Sequence, residues 1–132
     1  MEIIEITTRS RCQAVDMTAD VQNVVSRSDL RSGLAVVCSA HTTAGVTVNE
    51  NADPDVMADL MEALGRLVPR SGPYAHSEGN SDAHVKSTLV GHSVAMPFEE
   101  GRLKLGTWQA IYFCEFDGPR RRRVIVQLVS AR

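Results

Sequence analysis

An α+β domain with a largely antiparallel sheet and few helices is the fold class this sequence predicts. Three observations carry the prediction. A β-branched segment opens the chain, a strongly periodic apolar helix fills residues 53–68, and the last third is a series of strand-like segments broken by Glu-Glu-Gly and Asp-Gly-Pro turns. The 132 residues are read as one domain, 1–132. A chain of this size buries roughly two thirds of the surface its unfolded form exposes, enough for one real core.

Taken in order, residues 2–8 alternate weakly and are rich in β-branched side chains, as a first strand requires. Thr18 is placed to cap a helix carrying Val21, Val24 and Val25 at helical spacing, and Gly33 ends that unit. Residues 34–40 read as a buried strand. Residues 46–48 form a second extended piece after the Thr-Thr-Ala-Gly break.

The clearest helix follows. Asp53 can cap it, Pro54 sits at the first helical position where its missing N–H costs nothing, and Asp55 adds negative charge at the positive end of the dipole. Val56, Met57, Leu60, Met61, Leu64, Leu67 and Val68 share one face, which is read as core, and Pro69 stops the helix. Residues 71–81 are loop chemistry. A short helix starts near Ser81 or Asp82 and ends at Gly91. Strands are then predicted over about 92–98, 102–116 and 122–129.

Composition excludes several functions. Hydrophobic residues make up 43%, charged residues 23%, and the net charge is −2, so nothing pulls the chain toward nucleic acid or anionic lipid. No apolar stretch approaches the roughly 18 residues needed to cross a bilayer. The opening MEIIEITTRS has acids where a secretion signal would have a basic region. Cys12, Cys38 and Cys114 are odd in number, far apart and in no Cys-x-x-Cys pair. A cytoplasmic protein with reduced thiols is expected.

The chemistry concentrates in the middle third. His41 closes a strand, His76 lies in the polar loop, and His84 lies at the start of the short helix, with Asn49, Glu50, Glu78, Asn80 and Asp82 around them. Three imidazoles plus a water make the usual open zinc arrangement, although seven residues between His76 and His84 is not a tight zinc signature. Ordinary satisfied or surface histidines are the competing reading. Glu50 and Glu78 are candidates for a general base or for orienting a histidine. Asp82 and His84 diverge on a helix, so Asp82 is read as a cap while His84 points into a site.

Cys38 and His41 fall on opposite faces of a regular strand, so a Cys-His pair is not expected. His92 is read as surface or core. Arg120–Arg123 is a solvated strand edge or, more sharply, a phosphate-recognising patch that Lys86, Ser87 and Arg102 could join. Trp108, the only tryptophan, is read as core or interface, and Gly106 before it as a bulge or close backbone approach.

Three blocks together resemble the YjbQ family over nearly the whole chain. They are His41-Thr42-Thr43-Ala44-Gly45 with Asn49-Glu50-Asn51; His76-x-Glu78-Gly79-Asn80-x-Asp82-Ala83-His84; and Gly101-Arg102-Leu103-x-Leu105-Gly106-Thr107-Trp108-Gln109. The resemblance implies a compact α+β fold, a largely antiparallel sheet or sandwich with few helices, assembled as a homotrimer. It also implies a metal or anion site lined by His41, His76 and His84, with zinc the expected divalent ion. A secondary thiamine-phosphate synthase activity, joining a pyrimidine diphosphate to a thiazole phosphate, is implied as well. His92 and the arginine run lie outside the matched blocks.

Three functions follow as expectations. The first is an enzyme acting on a phosphorylated small molecule, with His84, Asp82 and Glu50 catalytic and Asn49, Asn80, Lys86 and Arg102 binding substrate. The second is a metal-dependent hydrolase. The third is a non-enzymatic trimer that binds a metal or a small ligand.

Overall fold

A computed structural model describes residues 1–131. Among the described residues, eight strands and three helices follow in the order β1 (Glu2–Thr7), β2 (Gln13–Asp16), α1 (Thr18–Arg27), β3 (Ser32–Ser39), β4 (Ala44–Glu50), α2 (Pro54–Leu67), α3 (Ser81–Val90), β5 (Ser93–Glu99), β6 (Arg102–Leu103), β7 (Gln109–Glu115) and β8 (Arg121–Ser130). Five strands form one sheet in the order β1-β8-β3-β5-β6, and three form a second in the order β2-β7-β4. Every pairing is antiparallel. The α+β class and the antiparallel sheets are as the sequence predicts.

The period of two in β7 explains the layering. Ile111 and Phe113 face the five-stranded sheet and join Val37, Val124 and Val126 in the main core, which α1 closes with Val21, Val24 and Val25. The alternate residues Ala110, Tyr112 and Cys114, with Phe116 beyond the strand, face the other way, where Met57 of α2 and Ala83 of α3 cover them. The three-stranded sheet is thus sandwiched between the larger sheet and two helices. Such a strand must be apolar on both faces, which is why β7 reads as a continuous hydrophobic run.

Several boundaries differ from expectation for local reasons. Asp16, not Thr18, satisfies the start of α1, its Oδ1 accepting from the Thr18 N–H at 2.9 Å; the Thr18 hydroxyl accepts instead from the Ile111 N–H. Gly33 lies inside β3, where a Cβ would collide with the Val129 carbonyl of β8, so close strand packing rather than helix termination explains it. The predicted strand 102–116 is two strands in different sheets. A turn from Gly106 to Gln109 separates them, closed by the Gln109 N–H on the Gly106 carbonyl and by the Gly106 N–H on Gln109 Oε1. Trp108 sits in that turn, 61% exposed, and is not core.

The helix at 54–67 has the predicted cap, with Asp53 accepting from the Asp55 N–H at 2.9 Å. Its stripe is only partly covered. Met57 is buried, Leu60, Met61 and Leu64 pack at the margin, and Leu67 is 75% exposed. No helix among the described residues is long and apolar enough to cross a membrane.

Candidate functional site

The short helix α3 is built inside out. Its buried residues are Ser81, Asp82, Ala83, Lys86 and Ser87, while Val85 and Leu89 face outward. A buried carboxylate needs partners, and Asp82 has two. Arg11, 71 residues earlier, forks onto it at 3.0 and 3.2 Å, and Lys86 one turn along the helix reaches it at 2.8 Å. Burial alone would raise the Asp82 pKa; the hydrogen bonds from Arg11 and Lys86 outweigh it and hold the carboxyl down at about 2. Asp82 is therefore a fixed anion rather than a proton carrier. It neither caps α3 nor touches a histidine in the contacts formed; Asn80 is the cap residue.

Locking this polar face fixes the other. His84, half-buried, meets His76 of the preceding loop edge-to-face, with ring centroids 5.4 Å apart. His76 is exposed and its Nε2 lies 3.8 Å from Glu78 Oε2. His84 also borders a cavity of about 380 Å3, shared with Thr42, Ser87, Thr88, Gly91 and His92. Two of the three predicted histidines are thus brought together, and the cavity adds His92, which the sequence places at surface or core rather than in a site.

His41, in the turn between β3 and β4, is next in sequence to the cavity residue Thr42. Its Nε2 accepts the Arg123 N–H at 2.8 Å, so in one chain Nδ1 is the atom left open. Burial lowers its pKa, with the nearby Arg122 charge adding to the effect. A neutral ring is what accepting that N–H requires. Among the described residues, no group of three or more His, Cys, Asp or Glu side chains converges closely enough to hold a metal ion.

The remaining predicted residues fall elsewhere. Asn49 and Glu50 end β4, five and six positions beyond Ala44, which at about 3.3 Å per residue puts them roughly 16–20 Å from the end of β4 nearest α3. There the Glu50 carbonyl accepts from the Tyr112 hydroxyl, and the Asn51 N–H donates to the Trp108 carbonyl. Arg102 lies on β6 at the edge of the larger sheet, beside Gln22 of α1. Lys86 is buried against Asp82. Asn80 Nδ2 donates to Asp117, whereas its Oδ1, Ser81 Oγ and Arg11 Nε are buried without a hydrogen-bond partner among the described residues.

The arginine run divides as strand alternation dictates, but on an interior strand of the sheet and not on an edge. Arg122 points inward and is 4% exposed. It binds Glu115 of β7 through two nitrogens and donates to Thr43 Oγ1 at 2.9 Å, while the Thr8 hydroxyl donates to Glu115 at 2.6 Å. Burial pushes the Glu115 pKa up, but Arg122 and Thr8 bring it below its ordinary value. This network ties the two sheets together immediately behind the Thr42–Thr43 turn. Arg120 and Arg121 pair with Asp117 and Glu5 at the surface. Cys114 is buried with its thiol pushed up to about 12 by desolvation, and so is inert, whereas Cys12 is exposed.

Nothing in the spacing links Arg11 to Asp82, so the sequence carries no signal for that pair. The alternation in 120–123 does foreshadow an inward Arg122. His92 is findable only through the pocket it borders.

Residues 2–131 match the family described as "UPF0047 protein YjbQ-like". A UPF0047 protein of Methanocaldococcus jannaschii is 47% identical over 126 residues, covering 96% of this chain and 91% of that protein. Bacillus subtilis YugU is 43% identical over 131 residues, covering 98% and 99%. The crystal structure of an uncharacterised YjbQ/UPF0047 protein from Clostridium acetobutylicum superimposes with a TM-score of 0.96 at 48% identity, covering 98% of this chain and all of that one. The chain belongs to the YjbQ/UPF0047 family.

Proposed function

We propose that the protein is a small-molecule transferase of the secondary thiamine-phosphate synthase type, holding its phosphorylated substrate beside His84. The observation that carries this reading is the contact of His76 with His84, a residue that borders a cavity lined by imidazole and hydroxyl groups and sits on a helix whose inward face is fixed by buried charges. In the reaction, the thiazole ring nitrogen supplies the electron pair for a new C–N bond to the pyrimidine methylene carbon. The C–O bond to the diphosphate breaks and pyrophosphate departs. Imidazole and hydroxyl donors aimed at the departing oxygens stabilise the charge that develops there.

A divalent ion, zinc by its preference for imidazole, would neutralise the same oxygens. His76 and His84 would hold such an ion, with Glu78 Oε2 3.8 Å from His76 Nε2. A homotrimer belongs to this reading too. Trp108, Val85 and Leu89 are exposed, as are Ile3, Leu34 and Val129 on the larger sheet. Exposed large apolar side chains are candidates for contacts between copies of the chain.

Thiamine phosphate formation from the two phosphorylated precursors, measured for wild type and His84→Ala, tests the proposal. Loss of product in a folded variant supports it. Equal trace rates in both would remove His84 from the site. Elemental analysis of purified protein decides whether zinc accompanies it.

A further inference from the structure

We propose that the cavity between the β3–β4 turn and the C-terminal half of α3 is an oxyanion subsite, with His92 the residue that selects a phosphate group there. This rests on the reading that the protein takes a phosphorylated small molecule. The cavity, about 380 Å3, is within the size range of small-ligand sites. Its side-chain polar lining is imidazole and hydroxyl only: His84, His92, Thr42, Thr88 and Ser87. Among the described residues, no carboxylate borders it to repel an anion or complete the shell of a cation.

The donors are also available. Ser87 is committed, its hydroxyl donating to the Ala44 carbonyl at 2.9 Å. The Thr42 and Thr88 hydroxyls make no hydrogen bond with the described residues. An imidazole keeps at least one N–H donor in either protonation state.

The backbone holds His92 at the rim. Gly91 ends α3 with φ of 97°, a left-handed conformation that suits glycine and turns the chain out of the helix. Its carbonyl accepts from the Val46 N–H at 3.0 Å, and the His92 carbonyl accepts from the Ser39 N–H at 2.7 Å. Opposite, Gly45 permits the close approach, since a Cβ there would lie 2.6 Å from the Gly91 carbonyl. Both walls are therefore pinned to strands, and the His92 side chain is free to meet a ligand.

The last carbonyls of α3 favour positive charge, which makes zinc the rival occupant. Imidazole 1H–15N spectra of the full chain, titrated separately with pyrophosphate and with zinc, read both rings directly. Calorimetry of wild type and His92→Asn gives the affinities. Pyrophosphate is expected to move the His84 and His92 resonances together and saturably. His92→Asn should weaken it about tenfold or more, as loss of one hydrogen bond to a charged group does.

No saturable shift at His92, an unchanged affinity in the folded variant, or a response of both rings to zinc alone overturns the subsite. If pyrophosphate binds as expected but no thiamine phosphate forms, the transferase reading fails and the subsite stands. If product forms while His92 stays silent, the subsite fails and the transferase reading stands.

Discussion

The two helical flanks of this molecule are built on opposite rules. On α1 the inward residues are Val21, Val24 and Val25, all essentially buried, and the outward ones apart from Ala19 are polar. On α3 the inward residues are Ser81, Asp82, Lys86 and Ser87, with Ala83 the one apolar residue among them, while Val85 and Leu89 are exposed. Both helices have ten residues. The first follows the amphipathic pattern that stabilises a single chain. The second violates it and holds together through buried ion pairs, which position groups well but stabilise little relative to apolar packing. A local break with packing logic is expected where a protein positions functional groups.

Several perturbations break or sharpen that contrast. The largest effect is expected where the sheets are tied behind the site. Glu115→Ala strands Arg122 and should cost about 3–5 kcal/mol, read by urea denaturation. Asp82→Asn, which leaves Arg11 and Lys86 without their anion, should cost about 3 kcal/mol.

The same carboxylate sets an acid limb. Its folded pKa, about 2, lies below the unfolded value, so its contribution is complete above about pH 5 and vanishes as the pH falls toward 2. Denaturation midpoints across that window should flatten in Asp82→Asn.

Val24→Ala should cost about 2 kcal/mol through lost burial and a cavity, without touching ligand binding. Asp53→Ala, removing the cap of α2, should cost about 1 kcal/mol. Leu89→Ser should shift the stability of one chain by less than about 0.5 kcal/mol. If the outward face of α3 contacts another copy, light scattering of the same variant will show a smaller particle.

The contrast also explains what the sequence reveals. The elements α1 and α2 are legible because burial imposes a period of 3.6 on apolar residues, and β7 because burial on both faces makes it a continuous apolar run. The cap at Asp53 and the stop at Gly91 are legible as local backbone chemistry. The turn at Gly106–Gln109 is hidden because its neighbours on both sides are strand-like, and the run is broken by Gln109 closing on Gly106 through both its backbone N–H and its side chain.

Within the site, His76 and His84 can be named from residue type and loop context, but their edge contact cannot. Arg11, meeting Asp82 across 71 residues, leaves no periodic trace. Glu50 and Asn49 group with the histidines by proximity in sequence, yet the extended geometry of β4 carries them to its far end.

The division of labour between the flanks is tested most directly by measuring stability and thiamine phosphate synthesis on the same two variants, Val24→Ala and His84→Ala. Val24→Ala should lose about 2 kcal/mol while each folded molecule keeps the proposed synthase activity undiminished. His84→Ala should stay within about 0.5 kcal/mol of wild type and lose synthesis. A His84→Ala protein that unfolds as readily as Val24→Ala, or that still makes product at the wild-type rate, would contradict this division.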